Sequence, residues 1–117
     1  MEDRFMTIDG VRVPRFLYGT AWKAERTRGL VTTALQRGFQ GVDTANQLRH
    51  YDEAEVGRGV ADAIAAGATD RDALFLQTKF TSRDGQDHRL PYDPAATVGE
   101  QVRQSFASSL EHLGVST

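Results

Sequence analysis

The sequence predicts an α/β fold, and within that class the opening part of a (β/α)8 (TIM) barrel. Three observations lead there. After an initial hairpin, short β-prone runs alternate with segments of helical period, the order that parallel strands joined by helical crossovers require. The strand-to-helix turns lack the G-x-G-x-x-G fingerprint of doubly wound dinucleotide folds, since the first reads Gly19-Thr20-Ala21-Trp22-Lys23. The strand ends instead carry Gly19-Thr20-Ala21-Trp22, Asp43-Thr44-Ala45 and Thr78-Lys79, and barrel enzymes gather their chemistry at the carboxyl ends of successive strands.

Each element has a local reason. Phe5 to Ile8 and Val11 to Pro14 flank Asp9-Gly10, a pair suited to the positive φ angles of a type I′ hairpin turn. Phe16 to Thr20 reads as the first buried strand. Thr27 to Arg37 has Leu30, Val31, Ala34 and Leu35 on one face and Gly38 as its stop. Phe39 to Val42 is the second strand and delivers Asp43; the polar stretch Asn46 to Asp52 follows. A second helix starts near Glu53, carries Val56, Val60 and Ile64 as a stripe, and ends at Gly67. Leu74 to Leu76 is the third strand and hands over to Gln77, Thr78 and Lys79. Thr81 to Asp93, rich in Gly, Asp, His and Pro, is a long loop. The last helix opens on Thr97 and Glu100 at capping-box spacing, repeats Val102, Phe106, Leu110 and Leu113, and closes at Gly114.

Composition narrows the function classes. A chain of 117 residues with 39% hydrophobic and 26% charged content is ordinary for a water-soluble domain. The net charge of −2, with both signs interspersed, offers no basic patch for nucleic acid. The absence of cysteine excludes disulfides and thiolate metal sites and suits the cytoplasm. No apolar run reaches the roughly 18 residues that a membrane span needs, and the start, Met1-Glu2-Asp3-Arg4, is unlike a secretory signal. The histidines His50, His88 and His112 lack metal-ligand spacing and read as loop and helix residues. Residues 1–117 therefore read as a single unit, the amino-terminal part of a barrel: three strands and a hairpin, where a complete barrel typically takes about 250 residues.

Four segments in order carry a family resemblance: Gly38-Phe39-Gln40-Gly41-Val42-Asp43-Thr44-Ala45, Glu53-Ala54-Glu55-Val56-Gly57, Leu74-Phe75-Leu76-Gln77-Thr78-Lys79, and Ser109-Leu110-Glu111-His112-Leu113-Gly114. Together they resemble the aldo-keto reductases. The resemblance implies reduction of a small aldehyde or ketone with NADPH, or the reverse oxidation with NADP. The family's catalytic set is an aspartate, a tyrosine, a lysine and a histidine. It carries over onto Asp43, Tyr51 and Lys79, with the histidine expected on a further strand beyond Thr117. Gly19, Thr20, Ala21 and Asp43 match the cofactor side, and Trp22 matches a substrate-facing position.

The physical logic of those roles is direct. Hydride delivery to a carbonyl leaves negative charge on oxygen, so a proton donor must lie within hydrogen-bond reach. An ammonium beside a phenol favours the phenolate, and a carboxylate aims and charges that ammonium. At the family's usual spacing the tyrosine position falls on Leu48, and Tyr51 comes slightly later, as a small insertion in that loop produces. Taken singly, Asp43 also suits a turn, Lys79 a solvated strand end, Tyr51 a loop aromatic and Trp22 a rim aromatic. The expectation is an oxidoreductase whose isolated 117-residue portion is inactive. The alternative is a non-catalytic binding or regulatory module on the same scaffold.

Overall fold

The computed structural model describes residues 4–117. Strands β1 (Phe5–Ile8) and β2 (Val11–Pro14) form an antiparallel hairpin with Ile8 opposite Val11. Asp9 and Gly10 both take positive φ, 48° and 80°, the geometry of a type I′ turn. The hairpin leads to the amino end of a second sheet, where Pro14 and Leu17 lie so close to Gly41 that a side chain there would overlap Leu17.

That second sheet is parallel, in the order β3 (Tyr18–Gly19), β4 (Gly41–Asp43), β5 (Phe75–Gln77). Helix α1 (Thr27–Gln36) follows β3, α2 (Glu53–Ala65) follows β4, and α3 (Val98–Leu113) follows β5. The architecture is an open arc of a β/α barrel, the predicted hairpin plus three β/α units. The register aligns Tyr18 with Val42 and Val42 with Leu76, then Gly19 with Asp43 and Asp43 with Gln77. Alternate residues of a strand face opposite sides. Val42 belongs to the core with Val31, Leu35, Val56, Val60, Ala63, Leu74 and Leu113, and Tyr18 and Leu76 pack against it. Asp43 and Gln77 are one step on, so they face the concave side where a barrel lumen lies.

The helix ends are chemically specified. Asp52 caps α2 by accepting from the Glu55 N–H at 3.1 Å, and the Thr97 hydroxyl accepts from the Glu100 N–H at 3.3 Å. Gly114, at φ 69°, ends α3 in the left-handed conformation. Helices α1 and α2 approach closely at Gly59, where a Cβ would stand 2.6 Å from the Arg28 carbonyl oxygen.

The elements are where the sequence puts them, with shifted faces. The first strand is shorter than Phe16 to Thr20, and Phe16 is 77% exposed. It lies ahead of the first ladder pair, Tyr18–Val42, and no described element covers it. The stripe of α2 turns from Ile64 to Ala63, because eight residues overrun two helical turns of 3.6. In α3 the buried seam is Ser105, Ser109 and Leu113, while Val102 and Phe106 stay exposed. Small serines allow α3 to come close: the Asn46 side-chain amide donates to the Ser105 carbonyl at 3.0 Å.

Candidate functional site

The site is assembled at the carboxyl ends of β4 and β5. The Asp43 backbone is fixed first: its carbonyl accepts from the Thr20 N–H at 3.2 Å and the Thr20 hydroxyl at 2.8 Å. Its carboxylate is then free to face the concave side. Lys79 Nζ donates to both carboxylate oxygens at 2.9 Å. Gln77 Nε2 donates to Oδ1 at 2.6 Å. The main chain of β5 continues in register through Thr44 N–H to the Gln77 carbonyl at 2.8 Å and Asn46 N–H to the Lys79 carbonyl at 3.1 Å.

Tyr51 reaches the same place from the loop between β4 and α2. Its N–H donates to the Gln47 carbonyl at 3.0 Å, closing a turn over 47–51, and Asp52 next to it begins α2. Lys79 Nζ lies 5.4 Å from the centre of the Tyr51 ring, within range for a cation–π contact. The three residues singled out in the sequence, Asp43, Tyr51 and Lys79, thus meet around one ammonium.

The first strand-end loop forms the neighbouring wall. Trp22 has φ 63°, donates its N–H to the His50 carbonyl at 2.8 Å, and lays its indole 4.2 Å from the His50 ring. It is 76% exposed and lines a groove with Leu48, His50, Tyr51 and Arg89. Gly19 is exposed, with no atom within 4 Å of the position a Cβ would take, and Ala21 is half-buried. Thr20 is buried and its hydroxyl points back into the protein, so only its main chain borders the site.

The loop 81–93 closes over the far side. Tyr92 donates its hydroxyl to the Thr81 carbonyl at 2.8 Å, the Gln86 side chain donates to the Asn46 carbonyl at 2.9 Å, and Gln47 donates to the Gly85 carbonyl at 2.9 Å. Arg89 donates to the Leu48 carbonyl at 3.1 Å and pairs with Asp87 at 2.6 Å. The Arg89 guanidinium and its backbone N–H hold the Asp87 carboxyl at about 2, well below its ordinary value. Among the described residues no group of three His, Cys, Asp or Glu side chains is placed to hold a metal ion.

Reasoning from sequence missed two participants. Gln77 was legible in principle, because it stands two positions before Lys79 on a strand and so shares its face. The partnership of Glu53 with Thr78 and His112 has no sequence signal, since it joins three separate elements.

No family model matches the chain. Individual relatives do. It is 35% identical over 117 residues to an aldo-keto reductase of Mycolicibacterium smegmatis, covering 98% of this chain and 36% of that protein. It is 32% identical over 91 residues to an aldo-keto reductase of Bombyx mori, covering 71% of this chain and 29% of the relative. The chain belongs to the aldo-keto reductase family. The crystal structure of the B. mori aldo-keto reductase in complex with NADP superposes with a TM-score of 0.72 at 28% identity, over 95% of this chain and 34% of that one. An aldo-keto reductase of Brucella melitensis superposes at 0.65, with 26% identity and 95% and 37% coverage. The chain therefore spans about a third of the length of the aldo-keto reductases it matches, and its three β/α units are a part of their barrel.

Proposed function

We propose that this chain contributes the catalytic aspartate, tyrosine and lysine of an NADPH-dependent aldo-keto reductase acting on small aldehydes or ketones. The observation that carries the reading is the convergence on Lys79 Nζ of the Asp43 carboxylate, at 2.9 Å to both oxygens, and the Tyr51 ring, at 5.4 Å. Three residues from two strand ends and a loop have little structural reason to meet on the concave side of a sheet. Charge chemistry at a carbonyl supplies one.

In this reading Tyr51 holds the proton given to the carbonyl oxygen. Lys79 stabilises negative charge on the phenol oxygen as that proton leaves. Asp43 keeps Lys79 charged and aimed, and the Gln77 amide holds Asp43 from its other side. The open edge of Gly19, the half-buried Ala21, the Thr20 main chain and the Asp43 carboxylate leave room and polar contacts for the reactive end of the cofactor. When bound, NADPH supplies the hydride. Exposed Trp22 borders the substrate entry. The isolated chain is inactive in this reading, because these residues lack the strand histidine and the late-strand cofactor contacts that the family resemblance implies.

A chimera tests the roles. The 117 residues replace the matching segment of the M. smegmatis relative, and NADPH oxidation is followed with a panel of aldehydes. The chimera retains turnover, Tyr51→Phe lowers kcat by about 10²–10⁴, and Leu48→Ala leaves it within severalfold. Full activity in the Tyr51→Phe chimera overturns the assignment. The chain alone is expected to bind NADPH weakly or not at all and to show no reductase activity, and saturable micromolar NADPH binding by calorimetry overturns that expectation.

A further inference from the structure

Glu53 is among the most buried groups in the molecule, 2% exposed, and the chemistry above does not use it. It opens α2, where free backbone N–H groups and the helix dipole favour a negative charge. Its two carboxylate oxygens are both engaged. Oε2 accepts from the hydroxyl of Thr78, and Oε1 is 2.8 Å from Nδ1 of His112 on α3. One buried carboxylate thus joins the helix that begins two residues after Tyr51, the strand end that carries Lys79, and the third helix.

The partner on the strand end decides what this does. Thr78 directly precedes Lys79, beyond the last residue of β5. In extended chain consecutive side chains face opposite sides. Fastening Thr78 to Glu53 on the helix side therefore turns Lys79 to the concave side, where Asp43 waits. Without that fastening the strand end keeps its main-chain bonds, Thr44 N–H to the Gln77 carbonyl and Asn46 N–H to the Lys79 carbonyl, but loses the side-chain anchor that sets which way Lys79 turns.

We propose that Glu53 is a positioning residue: through the Thr78 hydroxyl it fixes the direction of Lys79 and so maintains the Asp43–Lys79 pair. This deepens the functional reading above, because it assumes that this pair is the working one. Glu53 touches neither substrate nor cofactor, and its effect passes through Thr78.

The chain has two lysines, Lys23 and Lys79, which makes the test direct. The intact 117-residue chain is labelled with limiting acetic anhydride, and the acetylation rates of the two lysines are compared by peptide mass spectrometry. Lys23, whose ammonium lies 5.8 Å from the Tyr18 ring, is the internal reference. The two contacts with Asp43 engage the Lys79 ammonium and slow its labelling relative to Lys23, by about fivefold for a partly exposed pair. Thr78→Val, which removes only the hydroxyl, brings the ratio to about one, whereas Thr78→Ser, which keeps it, retains the slow rate. Circular dichroism melts confirm that each variant is folded. Asp43→Asn is the control: loss of protection there establishes that the pair exists in solution. If Asp43→Asn removes protection and Thr78→Val does not, the positioning role of Glu53 is overturned while the paired site stands. If Lys79 is unprotected in the wild-type chain, or Asp43→Asn changes nothing, the paired site itself is overturned and this inference falls with it.

Discussion

Asp43 and Lys79 lie 36 residues apart, on adjacent parallel strand ends, and meet through two contacts of 2.9 Å. Both side chains remain partly exposed, 21% for Asp43 and 42% for Lys79. Water screens such a pair, so its worth to folding is small, about 0.2–1 kcal/mol. Lys79→Met is expected to lower stability in urea by no more than that. A larger loss measured by urea titration makes the pair a fold determinant instead of a functional one.

Two glycines inside helices predict opposite effects of alanine. A Cβ on Gly57 would overlap the His112 carbonyl oxygen where α2 meets α3, and backbone cannot give way as a flexible side chain does. Gly57→Ala is expected to cost about 1–3 kcal/mol. Gly29 lies in α1 with nothing within 4 Å of its Cβ position, so Gly29→Ala gains about 0.5–1 kcal/mol of helix propensity. Thermal melts of the two variants, moving in opposite directions, check the packing geometry.

What could be read from the sequence follows from which features are local. Asp9-Gly10, Thr97 with Glu100, and the stop at Gly114 each declare a turn or cap within a few residues, and each is found in place. Asp43 and Lys79 were picked out by their strand-end positions together with the family resemblance, and the structure brings their side chains into contact. The outward face of Phe16 and the serine seam of α3 were not legible, because they depend on which neighbour covers which side. Periodicity fixes that a helix has an apolar stripe; only tertiary contact fixes where the stripe points. Glu53 escaped for the same reason, its partners Thr78 and His112 being 25 and 59 residues away.

The clasp between the two site loops predicts an acid-sensitive step. Asp87 is depressed to about 2 by Arg89, which also holds the Leu48 carbonyl. Because its folded value is lowered, the charged pair contributes fully above the ordinary aspartate range and is lost as pH falls from about 4 through about 2. A carboxyl-carbon NMR titration is expected to place the Asp87 midpoint near 2. In Arg89→Gln the midpoint returns toward the ordinary aspartate value of 3.8, and the 46–52 loop amides exchange faster. An unchanged midpoint in Arg89→Gln refutes the clasp.

The final prediction concerns association of the chain itself. Strands β3 and β5 each have one neighbour among the described residues, so each offers an unpaired edge. Apolar side chains border both: Phe16 beside the first, and Val102 and Phe106 of α3 beside the second. Open edges recruit other chains, and contiguous apolar patches drive association. Phe106 is 58% exposed, so Phe106→Lys removes little packing from the folded chain and adds a charge at the patch. Sedimentation velocity is expected to show oligomers for the wild-type chain and a shift toward monomer for Phe106→Lys, with melting temperature nearly unchanged. A wild-type chain that sediments as a monomer across the micromolar range contradicts this, and requires that the two edges be covered by something the arc itself provides.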